Sequence, residues 1–193
     1  MAEGTGETDT SGPRLAPTTE DDWDDDTRAL LDRLNRYNIF TTLAHHPDLL
    51  RRWLTFGGHV LVQSTLPPRP RELAILRVGW RCGSAYEFGQ HTVLGRSVGL
   101  TDDEIQRVAT AEPLIGGRWS DEDAEILRAA DELVSDFVLS DETWAALAAR
   151  WSTQQVLDLI FTVGQYVLVS MALNTLGVEL DAGLPGFPEE DAP

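Results

Sequence analysis

Residues 71–91 read RELAILRVGWRCGSAYEFGQH, and this stretch decides both the fold class and the place of a site. Pro70 suits the first turn of a helix that carries Leu73, Leu76 and Arg77 at helical spacing. Gly83 then marks a break, and a second helix is expected from about Ser84 to Val98, closed by Gly99. On that second helix, steps of three and seven residues place Ser84, Glu87 and His91 within about 60° of arc on one face. A carboxylate therefore sits one turn from an imidazole, with Glu72 on the preceding helix as a further proton-handling group.

Working outward, the same alternation of caps and periodic apolar residues continues in both directions. An acidic first turn near Trp23 to Thr27 opens a helix carrying Leu30, Leu31, Leu34 and Tyr37. Pro47 begins another, with Leu49, Leu50, Trp53, Leu54 and Leu61, and the run Leu66-Pro67-Pro68-Arg69-Pro70 interrupts it. Thr101 with Glu104, Ser120 with Asp123, Ser140, and Ser152 with Gln155 start the later helices. Gly177 stops the last one near Leu176. No period-2 strand pattern competes, so the expectation is an all-α domain of about seven to eight helices.

The last helix is apolar nearly all round, from Val156 to Leu173, which means burial or membrane insertion. Its uncharged run from Leu159 to Leu173 is interrupted by Gln165 and Ser170 and is shorter than the roughly 20 apolar residues that a span needs. Burial at a domain centre or a subunit interface is expected instead, and with it a homo-oligomer and no membrane partner.

Charge narrows the function further. The net charge is -17, but residues 1–26 supply -8 and residues 179–193 supply -5, leaving -4 for the rest. No basic stripe exists to neutralise phosphates, so nucleic acid is not an expected partner. Every basic residue is arginine, which excludes a lysine Schiff base and a lysine-bound pyridoxal cofactor. Cys82 is the single cysteine, so no intramolecular disulfide or Cys-x-x-Cys pair is available, and the lone thiol with no apolar leader fits a cytoplasmic location. The expected organisation is an acidic disordered tail over 1–26, one domain over 27–180, and an acidic proline-containing tail over 181–193.

Two readings of the central motif stay open on the residues alone. Ser84-x-x-Glu87 has the form of a capping box, and Glu72 in a first helical turn complements the helix dipole. Against this, a hydrogen-bonded Glu-His pair fixes the imidazole tautomer and stabilises its charged form, as a proton shuttle requires. Tyr86 either packs or reaches toward a neighbouring subunit. His45, His46, His59 and His91 show no His-x-x-x-His or Glu-x-x-His spacing, so no metal site is expected. No dinucleotide fingerprint, phosphate loop or nucleophile elbow is present, and no cofactor is expected.

Arg71-Glu72-Leu73-Ala74-Ile75-Leu76 followed by Tyr86-Glu87-Phe88-Gly89-Gln90-His91 resembles the carboxymuconolactone decarboxylase family, whose superfamily includes the alkylhydroperoxidase D proteins. The similarity extends over about Ile39 to Leu180, including Phe161-Thr162-Val163-Gly164-Gln165-Tyr166 and Leu173-Asn174-Thr175-Leu176-Gly177. In the peroxidase branch an upstream glutamate precedes Cys-x-x-Cys-x-x-x-His. Aligned on Glu72 and His91, those cysteine positions hold Ser84 and Glu87, so the dithiol relay is missing.

The resemblance implies an alkylhydroperoxidase D-like helical fold, a trimer or hexamer, and cofactor-independent acid/base chemistry on a small anionic substrate such as a carboxylated lactone or β-keto acid. In that reading His91 is the acid, Glu87 orients it and Glu72 supports either group. Ser84, Tyr86 and the arginines Arg71, Arg77 and Arg81 are the expected substrate-binding residues. The alternatives are a peroxidase-branch antioxidant protein using Cys82 alone, and an oligomeric binding protein without catalysis.

Overall fold

A computed structural model describes residues 12–110 and 118–188. Among these, nine α-helices are present and no strand. They are α1 (Asp25–Arg33), α2 (Asn38–Leu43), α3 (Pro47–Gly58), α4 (Pro68–Arg81), α5 (Ala85–Ser97), α6 (Asp102–Val108), α7 (Asp121–Ser135), α8 (Asp141–Arg150) and α9 (Thr153–Leu176). A single π turn, His59–Gln63, extends α3.

The central element is α4. Every side chain from Glu72 to Trp80 is buried, because α5, α7 and α9 pack around it. Its apolar residues Leu73, Ile75, Leu76 and Val78 join Phe88 of α5, Ile126 and Leu127 of α7, and Leu159 and Val163 of α9 in one core. A fully buried leucine or isoleucine contributes about 1.5–3 kcal/mol, so this layer around α4 carries much of the stability.

The reversal between α4 and α5 is written locally. Gly83 adopts φ 62, its N–H donates to the Trp80 carbonyl, and the Ser84 N–H donates to the Gly79 carbonyl. This is the Schellman pattern, which favours glycine at the left-handed position. The returning helix comes close to α4: a Cβ placed on Gly79 would sit 3.2 Å from the Phe88 backbone nitrogen. That close approach turns Glu72, two turns before Gly79, toward the face carrying Glu87 and His91.

Several sequence expectations hold and several change. The capping boxes at Thr101/Glu104 and Ser152/Gln155 form, and Gly177 ends α9. The first helix stops at Arg33 instead of reaching Tyr37, because Asn35 and Arg36 take left-handed φ values of 55° and 52°. The residues beyond form the separate short helix α2, which contributes to nine helices among the described residues where about seven to eight were expected.

The tails also differ from expectation. Residues 1–11 and 189–193 lie outside the described residues, but 12–26 and 181–188 are ordered against the domain. Leu15 N–H donates to the Leu176 carbonyl and the Thr18 hydroxyl to the Thr41 carbonyl. Trp23 donates its indole N–H to Thr18 and lies under both Arg28 and Arg36. At the other end Asp181 accepts from the Asn38 N–H, the Tyr86 hydroxyl and Gln90. Composition hid these anchors because acidic, glycine-rich stretches read as disordered whenever their partners lie far along the chain.

By length and composition α9 could cross a membrane, yet half of its most apolar window is buried inside the fold. One face supplies Val156, Leu159, Val163, Val169 and Leu173 to the interior, and the opposite face exposes Leu157, Phe161, Leu168 and Met171.

Candidate functional site

The three proton-handling residues converge. His91 Nδ1 lies 2.6 Å from Glu72 Oε2 and His91 Nε2 lies 2.9 Å from Glu87 Oε1. All three side chains are buried, with 2% of Glu72 and 5% of Glu87 and His91 accessible. The imidazole is thus clamped between two carboxylates, one on the same helix four residues back and one from α4.

Clamping fixes the charge state. Both ring nitrogens face carboxylate oxygens, so both carry hydrogens and donate, which is the imidazolium form. Burial pulls the His91 pKa down, but the charge and hydrogen bond of Glu72, then those of Glu87, outweigh it and push it up to about 10. The ring also packs edge-on against Tyr166 of α9, with centroids 4.8 Å apart and planes at 83°. Burial first, then the Glu87 and Glu72 charges, raise the Tyr166 pKa well above the usual phenol value, so its hydroxyl stays protonated.

Arg71 completes the charged group. Its Nε lies 3.4 Å from Glu72 Oε1, and its side chain is 11% accessible. Glu72 therefore has one oxygen on His91 and the other on Arg71, and Glu87 has only Oε1 engaged.

Ser84 sits at the N-cap of α5 as the spacing suggests, but the capping box does not form. The Ser84 side chain makes no capping bond, its hydroxyl is fully buried without a hydrogen-bond partner, and the Glu87 carboxylate turns forward to His91. The bland reading of Ser84 and Glu87 as a helix cap is thereby overturned. An unpaired buried hydroxyl costs about 1–3 kcal/mol, a cost that Ser84 shares with the buried hydroxyls of Thr42, Thr92, Thr162 and Ser170.

Three expected substrate-binding residues are placed elsewhere. Arg77 is fully buried and binds Asp131 of α7 with Nε at 2.7 Å and Nη2 at 2.9 Å, and its Nη1 donates to the Val108 and Thr110 carbonyls. Arg81 reaches Ser135 and the same Asp131. Both guanidinium groups tie α4 to α7, and Arg77, with all three of its nitrogens engaged, is not free for a substrate. Tyr86 takes the packing alternative: its hydroxyl donates to Asp181 and accepts from the Ile39 N–H, so it anchors α2 and the C-terminal segment to α5. Sequence spacing could not separate these roles, since these partners lie 31–95 residues away in the chain.

Tyr166, which the sequence reading quoted within a motif but gave no role, is the ring packed against the clamp. A tyrosine inside an otherwise apolar helix, with a hydroxyl to satisfy, was the available signal. Cys82 caps the end of α4 with its carbonyl accepting from Asn174, and burial raises its thiol pKa. The remaining histidines disperse: His45 meets the Ala16 carbonyl, His46 caps α3, and His59 lies 3.6 Å from Asp158.

Residues 47–118, which contain Glu72, Glu87 and His91, match the carboxymuconolactone decarboxylase family. The fold resembles the alkylhydroperoxidase AhpD core of an uncharacterized peroxidase-related protein from Ralstonia eutropha, with TM-score 0.76, 18% identity, 88% of this chain covered and 93% of that one. It also resembles a protein of unknown function from Agrobacterium tumefaciens described as an antioxidant defence protein of AhpD type, with TM-score 0.64, 15% identity, and 72% and 95% covered. A variant of the debrominase Bmp8 in complex with 2,3,4-tribromopyrrole gives TM-score 0.68, 13% identity, and 87% and 91% covered. No curated protein matches in sequence. The match covers the segment that carries the clamp, and the likeness to the AhpD-like structures is one of fold.

Proposed function

We propose that this protein is a cofactor-independent acid/base enzyme acting on a small carboxylated lactone or β-keto acid, with decarboxylation as the reaction. The observation that carries the reading is the His91 imidazolium held between buried Glu72 and Glu87. Structural ion pairs also perturb pKa values, but here three ionisable groups, a buried unpaired serine hydroxyl and a protonated tyrosine hydroxyl gather on adjoining helices. Loss of CO2 beside a carbonyl leaves an enolate or dienolate, which needs positive charge or donors at its oxygen and a proton at its carbon. His91 and the Tyr166 hydroxyl offer the first, and the Glu72–His91–Glu87 chain offers the second.

Arg71 is the substrate-binding arginine that this reading keeps, since its two Nη groups have no partner among the described residues. A planar guanidinium grips a carboxylate through two parallel hydrogen bonds. The antioxidant reading through Cys82 is less well supported, because burial holds that thiol in its unreactive protonated form and no second cysteine resolves an oxidised sulfur.

The reading includes a homo-oligomer. Leu157, Phe161, Leu168 and Met171 form an exposed apolar stripe along α9, with Phe56 of α3 packed edge-on against Phe161. Such a stripe on a soluble helix marks an association surface.

The test is CO2 release from a panel of carboxylated lactones and β-keto acids by the wild type, His91→Ala and Glu87→Gln. Turnover by the wild type that falls at least about 100-fold in both variants supports the assignment. Equal turnover in all three, or none from any substrate in the panel, contradicts it.

A further inference from the structure

We propose that a carboxylate substrate enters this centre together with one proton, and that Glu87 Oε2 carries this proton to the substrate carbon. The inference rests on the proton-transfer reading above and assigns within it the working atom. Two observations carry it: the charge balance of the buried group and the one carboxylate oxygen left without a partner.

The charges are already matched in the free protein. α4 contributes Glu72 and Arg71, α5 contributes Glu87 and His91, and α9 contributes the neutral Tyr166. Of the acidic groups on other segments beside α5, Asp102 of α6 pairs with Arg96, and Asp181 of the C-terminal segment accepts from Tyr86 and Gln90. Two carboxylates face two cations, so the enclosure is neutral.

A carboxylate arriving at Arg71 makes the group net negative inside a region of low dielectric. An uncompensated buried charge is strongly unfavourable, and such sites neutralise by taking up a proton. Glu72 is the poorer acceptor, because both of its oxygens face cationic donors. The substrate carboxylate faces Arg71. Glu87 has one oxygen on His91 and Oε2 without a partner among the described residues, so the proton goes there.

The same placement explains how a proton reaches carbon. Both His91 N–H groups are engaged with carboxylates, so in this arrangement the ring has no hydrogen directed at a substrate. In the reaction the bond between the substrate carbon and its carboxylate breaks, CO2 leaves, and the electron pair passes into the adjacent carbonyl system. The O–H bond on Glu87 then breaks and a C–H bond forms, which returns Glu87 to a carboxylate paired with His91. One proton is consumed per turnover, and binding of the next substrate replaces it.

The experiment is binding calorimetry of the saturated probe γ-butyrolactone-γ-carboxylate, which forms no dienolate, in two buffers of different ionisation enthalpy. At about pH 7.5 the full-length protein is expected to take up about one proton per bound probe, and Glu87→Gln close to none. Glu87→Asp is expected to keep the uptake. Binding without proton uptake in the wild type, or uptake unchanged in Glu87→Gln, overturns the inference and leaves the proton-transfer reading standing. Failure of the probe to bind at all overturns the carboxylate-substrate reading beneath it.

Discussion

Glu72 and His91 are nineteen residues apart in the chain and 2.6 Å apart between Oε2 and Nδ1. Gly83 reverses the chain between their helices and Gly79 lets those helices approach, so two backbone features set one charged contact. Glu87 closes the clamp from the other side of the ring.

Stability is expected to fall in alkaline solution because of this clamp. The folded pKa of His91 is raised to about 10 from 6.5, so the folded state binds the proton more tightly than the unfolded chain. The contribution is full below 6.5 and is lost as pH rises through 10. Between these limits the slope approaches ~1.4 kcal/mol per pH unit. Urea unfolding of the wild type and His91→Gln at neutral and alkaline pH measures it. A wild-type loss no steeper than that of the variant counts against the clamp.

Arg77 is expected to matter for stability. Arg77→Met leaves Asp131 without its main partner and removes one donor from each of the Val108 and Thr110 carbonyls. A loss of about 3 kcal/mol is expected, near the lower end for a broken buried pair because Asp131 keeps some contact with water. Denaturant melts give the number. A variant of wild-type stability would place Arg77 outside the structural role assigned to it.

Cys82→Ser is expected to leave turnover of carboxylated substrates unchanged, since the groups that act on the thiol, Ser170 and Arg81, are not those of the clamp. Reduction of organic hydroperoxides is expected to be absent from both proteins. Wild-type peroxide reduction that disappears in Cys82→Ser would restore the antioxidant reading.

The α9 stripe predicts that Phe161→Arg together with Met171→Asp lowers the oligomeric state without unfolding the chain, because both side chains are more than half exposed in the single chain. Sedimentation velocity beside circular dichroism distinguishes the two effects. An unchanged sedimentation coefficient locates the interface elsewhere.

How much of this was legible in the sequence depended on range. Helix starts at Thr101, Ser120, Ser140 and Ser152 and the stop at Gly177 are local signals, and they appear where the residues put them. The face shared by Glu87 and His91 follows from a four-residue step. The partner of Glu72 did not, since it required the α4–α5 reversal to be exact to within a turn. Arg77 and Arg81 were misplaced because a paired and a free guanidinium look alike until the partner Asp131 is known, and Tyr86 because its hydroxyl partner Asp181 lies 95 residues away. Ser84 misled in the opposite sense: its pattern matched the boxes at Thr101 and Ser152, and the competition of His91 for Glu87 broke the match.

The central claim is an imidazolium fixed between two buried carboxylates, and nitrogen-15 NMR of the His91 ring at about pH 8 tests it most directly. The account predicts that Nδ1 and Nε2 both show the protonated shift there, well above the pH at which a free histidine has lost its charge. A neutral tautomer at that pH, with one nitrogen unprotonated, would contradict it.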